Sequence, residues 1–154
     1  MAYQCEIKDQ PVQPVLSMRG RTPVKDLSQL LGRAYGAVAQ YLGTLGEAPA
    51  GAPFAVYYNM DMEDLDIEAG FPVAKVLPGK GEVNANEIPA GEVATCIHTG
   101  SYETIGTAYE VLDQYLKEQG REATGIAYEF YLNDPMEVPP EELKTQIVLP
   151  LKAD

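Results

Sequence analysis

One carboxylate stands inside an aromatic run, Ala127-Tyr128-Glu129-Phe130-Tyr131-Leu132. A carboxylate flanked by bulky rings is partly desolvated, which costs free energy unless tyrosine hydroxyls or a bound cation offset it. Glu129 with Tyr57 and Tyr131 would suit an organic cation, the carboxylate supplying charge and the rings supplying cation–π and stacking contacts. Tyr102 and Tyr109, on a helical segment, and Phe71, after an acidic loop, are further candidates for the wall of such a site. The same desolvated carboxylate would also serve as a general base or nucleophile, with Tyr131 or Tyr57 as proton donor. The pattern equally admits an edge-strand Glu129 turned to water and tyrosines that simply pack with a wet hydroxyl.

Other reactive side chains are sparse. His98 is the only histidine, so no multi-histidine metal site can form. A lone catalytic base or a haem ligand at His98 is conceivable, and an ordinary histidine at a strand end is the simpler reading. Cys5 and Cys96 have no CxxC or Cys/His neighbours, which argues against zinc. Each falls in a strand-like run, as buried reduced thiols of a cytoplasmic protein would. No metal and no cofactor is expected.

The elements that must carry these residues come in two similar halves. Helical spacing runs through residues 24–43, with Leu27, Leu30, Leu31, Ala34, Tyr35, Val38, Tyr41 and Leu42 on one face. It recurs through 102–118 with Ile105, Ala108, Tyr109, Leu112, Tyr115 and Leu116. Asp26 and Ser101 are candidate start caps, and Gly46 and Gly120 are stop signals. A shift of 74 residues aligns nine identities over 26 positions, among them Tyr35 with Tyr109, Tyr57 with Tyr131 and Asn59 with Asn133. Such self-similarity indicates an internal duplication.

Each half, about 1–77 and 78–154, then reads β-β-α-β-β. Strands are expected near 3–8, 13–20, 54–59 and 71–77, and near 82–88, 91–98, 128–132 and 145–149. The fold class is therefore α+β: an antiparallel sheet with helices on one face and a ligand cleft between the halves, within a single domain. Strand residues alternate faces. The more apolar sets, Phe54/Val56/Tyr58 and Tyr128/Phe130/Leu132, are expected under the helices. Ala55/Tyr57/Asn59 and Glu129/Tyr131/Asn133 are expected on the opposite face. The duplication gives Glu129 an alanine, Ala55, as its counterpart.

Charge narrows the partners. The 154 residues carry 11 Lys and Arg against 23 Asp and Glu, a net charge of -12. Residues 78–154 hold 5 basic and 14 acidic groups, hence -9 of that total. Clustered basic residues that would neutralise phosphates are missing, so nucleic acid is not an expected partner. The N-terminal residues Met1 to Glu6 lack the basic and apolar regions of a secretory signal, and no apolar run reaches the ~18–20 residues of a membrane helix. A soluble cytoplasmic protein is expected.

The ordered set of short segments resembles the GyrI-like small-molecule-binding domains, the effector-binding domains of AraC- and MerR-type bacterial transcription activators. The segments are Val15-Leu16-Ser17-Met18-Arg19-Gly20, Pro53-Phe54-Ala55-Val56-Tyr57-Tyr58, Glu68-Ala69-Gly70-Phe71-Pro72-Val73 and Thr99-Gly100-Ser101-Tyr102. The most specific is Tyr128-Glu129-Phe130-Tyr131-Leu132-Asn133-Asp134-Pro135, followed by Pro139-Pro140-Glu141-Glu142-Leu143. The resemblance implies a duplicated fold that binds hydrophobic, often cationic, small molecules, as in multidrug sensing. It implies Glu129 as the residue that meets the cation. It further implies a free-standing version, since the fold fills the chain and leaves no room for a helix-turn-helix. Two alternatives come with it. One is a hydrolase of strained cyclopropane-bearing compounds using Glu129, although that branch has Trp in its pocket motif and this chain has none. The other is a protein partner, a gyrase-modulating interaction. Oligomeric state is left open.

Overall fold

A computed structural model describes residues 3–134 and 136–153. Met1, Ala2, the Pro135 of the late-strand motif and Asp154 lie outside the described residues. The fold is α+β: eight strands and two main helices. The order is β1 (Glu6–Gln10), β2 (Gln13–Thr22), α1 (Leu27–Leu45), β3 (Phe54–Tyr57), β4 (Leu65–Pro72), β5 (Asn84–Ile88), β6 (Gly91–Thr99), α2 (Gly106–Gln119), β7 (Ala127–Tyr131) and β8 (Lys144–Pro150). Among the described residues no helix is long and apolar enough to cross a membrane.

Both helices stop where the sequence says they should. Gly46 and Gly120 adopt the left-handed conformation, φ 69° and 68°, and their N–H groups close the last turns. Ser101 caps the short 3-10 turn Tyr102–Thr104 that precedes α2, its hydroxyl accepting from the Glu103 N–H at 3.1 Å, and α2 itself has no side-chain cap. Asp26 stands at the start of α1 but its side chain caps nothing.

The chain divides into two compact units, one continuous (Pro11–Ala90) and one discontinuous (Met1–Gln10 with Gly91–Asp154). In the continuous unit β4 pairs with β3 and β2, and β2 also pairs with β5, all antiparallel. In the discontinuous unit β8 pairs with β7 and β6, and β6 also pairs with β1. Each sheet thus takes its first repeat strand from the other half of the sequence: β5 joins the first half's sheet and β1 joins the second's.

Two expectations need correction. The fourth strand was expected near 71–77 and lies at Leu65–Pro72. Asp66 and Glu68 disguise it, because acids are depleted in strands unless partnered. Here Arg19 forks onto Asp66 at 2.9 and 2.7 Å, and Glu68 is buried among donors. The face assignment is also reversed. Ala55 stands opposite Ala69, and Ala69 opposite Met18. Met18 and Ala69 belong to the core beneath α1 with Ala34, Val38 and Leu42. Cross-strand partners share a face, so Ala55 and Tyr57 face α1 while Phe54, Val56 and Tyr58 face away. Close packing of a helix on a sheet selects small side chains at the contact, whatever the mean polarity of the row. Phe54 and Val56 are buried nonetheless.

Candidate functional site

In the discontinuous unit the same register lays out a grid on the face covered by α2. One cross-strand row runs Cys96, Ile147, Glu129, and the next runs His98, Thr145, Tyr131. Glu129 is only 8% exposed. From α2, Tyr109 reaches down and donates its hydroxyl to Glu129 Oε2 at 2.5 Å. Tyr131, two residues along β7, donates to Oε1 at 2.9 Å. Tyr102 closes the edge, its ring 5.6 Å from that of Tyr131 in an edge-to-face contact, and remains 38% exposed.

The carboxylate is therefore held by two neutral hydroxyls. Burial pushes the Glu129 carboxyl above its ordinary value, and the bonds from Tyr109 and Tyr131, with a smaller attraction to His98, only partly offset this. Tyr102 is raised as well, first by burial and then by the negative charge of Asp134 and Glu129. His98 is buried at the end of β6 with both ring nitrogens engaged. Nδ1 meets the Tyr3 hydroxyl at 2.9 Å, and Nε2 lies 3.1 Å from both the Ser101 carbonyl and Thr104 Oγ1. The strand-end reading of His98 describes this packing. Between His98 and Tyr131, the Thr145 hydroxyl is fully buried and has no hydrogen-bond partner among the described residues.

Four of the six sequence-nominated residues, Glu129, Tyr131, Tyr109 and Tyr102, come together here. Tyr57 and Phe71 belong to the continuous unit. Tyr57 ends β3 opposite Ile67. Phe71 packs at the edge of the α1 core, its ring 5.7 Å from Tyr35 and tilted by 62°.

The continuous unit holds a second buried carboxylate that the sequence reading did not single out. Glu68 is 4% exposed. It accepts from the Ser17 and Tyr58 hydroxyls and from Asn86 Nδ2 at 2.8 Å. Arg19 covers the Tyr58 ring at 4.0 Å. The register equates Glu68 with Gln146 of the other unit and Ser17 with Thr95. That pair keeps the contact in neutral form, Gln146 Nε2 donating to Thr95 Oγ1 at 3.3 Å. The signal in the sequence is the acid within Ile67-Glu68-Ala69-Gly70-Phe71, an apolar setting like that of Glu129.

A separate open groove of about 1150 Å³ lies in the discontinuous unit, lined by Tyr3, Cys5, Cys96, Ile97, Val111 and Tyr115 among others. Glu129 is not part of its wall. Among the described residues no cluster of three or more His, Cys, Asp or Glu is arranged to hold a metal.

Residues 3–152 match the family model of the GyrI-like small molecule binding domain. The chain belongs to this family. The fold is that of the EcmrR C-terminal domain, with a TM-score of 0.82, 22% identity and 100% coverage of both chains. Against EcmrR in its DNA complex the TM-score is 0.83 at 23% identity, covering 99% of this chain and 58% of that one, so this chain spans little over half of that protein's length. A hydrolase from Listeria innocua superposes with a TM-score of 0.71 at 16% identity, covering 97% and 92% of the two chains. SAV2435, solved with tetraphenylphosphonium bound, gives 0.65 at 9% identity, covering 99% and 95%. At these identities the likenesses establish the fold. No curated protein matches the chain in sequence.

Proposed function

We propose that this GyrI-like domain binds hydrophobic organic cations, with Glu129 as counter-charge and Tyr109, Tyr131 and Tyr102 as aromatic contacts. The observation that carries the reading is a buried carboxylate whose hydrogen-bond donors among the described residues are tyrosine hydroxyls. Neutral donors leave its charge uncompensated in a low-dielectric setting, where an organic cation gains most. The half-exposed Tyr102 offers a ring face at the rim. The tetraphenylphosphonium bound by SAV2435, a distant structural relative, makes that cation the natural probe. With a net charge of -12 and no basic cluster, the domain would sense or sequester its ligand without touching DNA itself.

Calorimetric titration with tetraphenylphosphonium tests this. Glu129→Gln keeps the shape and removes the charge, and should weaken binding on the order of tenfold or more. Equal affinity in wild type and variant would sink the electrostatic reading.

A second reading rests on the raised Glu129 carboxyl beside two tyrosine hydroxyls, an arrangement that fits a general base with adjacent proton donors. It predicts turnover of electrophilic cyclopropane-bearing compounds that disappears in Glu129→Gln. A broad substrate panel without turnover would dismiss it.

A further inference from the structure

Cys5 and Cys96 stand 91 positions apart in sequence and face each other in the fold. β1 and β6 pair antiparallel with Glu6 opposite Thr95. One step further along that register sets Cys5 opposite Cys96, and three steps set Tyr3 opposite His98. The second pairing is observed directly: Tyr3 hydrogen-bonds His98 at 2.9 Å and their rings stack 5.9 Å apart. The register thus holds past the end of the ladder, with the two cysteines on the same face as Tyr3 and His98. Opposed residues on antiparallel strands have Cα atoms about 4.5–5.5 Å apart, inside the range of about 4.4–6.8 Å that a disulfide spans. Cys96 is buried and Cys5 half-buried, and both line the open groove, which gives solvent a route to Cys5.

We propose that Cys5 and Cys96 form a thiol–disulfide exchange site that closes into an intramolecular disulfide when a low-molecular-weight disulfide enters the groove. Cys5, the accessible partner, loses its proton and its Sγ attacks one sulfur of the small disulfide. That S–S bond breaks, a mixed disulfide forms on Cys5, and the first small thiol leaves carrying the proton. Cys96 then loses its proton and attacks the Cys5 sulfur, releasing the second small thiol. The two cysteines are oxidised by two electrons and the small disulfide is reduced to two thiols. Closure would tie the segment bearing Tyr3 to β6, fixing Tyr3 over His98 in the row next to that of Glu129. Burial raises Cys5 and pushes Cys96 up to about 12, so both steps should quicken as pH rises above neutral. The inference is independent of the ligand reading, since no part of it uses Glu129.

The test is incubation of the reduced full chain with excess oxidised glutathione at pH 8, alkylation of the remaining thiols, and intact mass measurement with a non-reducing gel. Wild type should become monomeric, unalkylated and lighter by two hydrogens. Cys96→Ser should instead accumulate one glutathione adduct on Cys5, and Cys5→Ser should gain little adduct because Cys96 is buried. Wild type that keeps two alkylatable thiols, retains a stable glutathione adduct, or runs as a disulfide-linked dimer would overturn the proposal. Cys96→Ala provides the same trapping experiment with an apolar replacement, and circular dichroism of each variant checks its fold.

Discussion

Glu129 occupies beneath α2 the place that Ala55 occupies beneath α1. The equivalent tyrosines above them have adapted accordingly. Tyr109 donates to the Glu129 carboxylate, whereas Tyr35 donates to the Phe54 carbonyl at 3.0 Å. The two units thus place a tyrosine hydroxyl at one height over each sheet, and the strand residue beneath it, Glu129 or Ala55, decides whether that hydroxyl meets a buried carboxylate.

The raised Glu129 carboxyl makes stability fall with pH. Between its ordinary value of 4.5 and the raised folded value, the native state holds a proton that the unfolded chain has lost. Stability contributed by that proton is complete below 4.5 and is lost as pH climbs through the folded value. Glu129→Gln should remove this dependence, so wild type loses ground to the variant as pH rises through this window. Urea unfolding from pH 4.5 to 8 measures it, and parallel curves for the two proteins would contradict the buried, raised carboxyl.

Removing the Tyr109 hydroxyl takes one of two donors from a buried anion. Tyr109→Phe should cost about 1.5–3 kcal/mol once pH is high enough to ionise the raised carboxyl. The loss should shrink toward acid pH, as the carboxyl takes up its proton. Thermal unfolding across this range checks this, and a loss independent of pH would point to packing alone.

Glu68 is tied to three donors on three strands or their ends, Ser17, Tyr58 and Asn86. Glu68→Ala leaves the buried Ser17 hydroxyl and two further donors without their acceptor. A destabilisation of about 2–4 kcal/mol is expected in chemical denaturation. A change below about 0.5 kcal/mol, the level of an ordinary surface substitution, would show that water replaces the carboxylate freely.

Ala55→Glu copies the second half's carboxylate into the first. Tyr35 and Tyr57 stand where Tyr109 and Tyr131 do, but the register gives Gly20 the place of His98. The new carboxylate would also displace the close Ala55–Ala69 contact under α1. A loss on the order of 3 kcal/mol or more at pH 7 is expected, partly recovered at pH 5. Urea midpoints at the two pH values decide it.

Much of this was legible in the sequence. Helical spacing with Gly46 and Gly120 beyond it defined both helices, because the 3.6-residue period and the left-handed stop are local properties. The self-similarity at a shift of 74 residues marked Glu129 as an exception, with Ala55 in its place, next to Tyr131, which bonds it. Local patterns are blind to pairing between distant segments. Glu68 sits in an apolar run, but only the fold brings Ser17, Tyr58 and Asn86 to it, and the acids of β4 hid that strand.

The amino-acid sequence by itself determined the α+β class, the two-fold repeat and an aromatic-flanked carboxylate, since each is written in residue types at short spacing. Tertiary structure alone decided which face Glu129 takes, that β1 and β5 exchange sheets between the halves, and that Cys5 meets Cys96. Those outcomes depend on strand register, where a slip of one residue reverses every side chain. Register is set by which face is buried and by the turns between strands, a balance over the whole layer that no single segment carries.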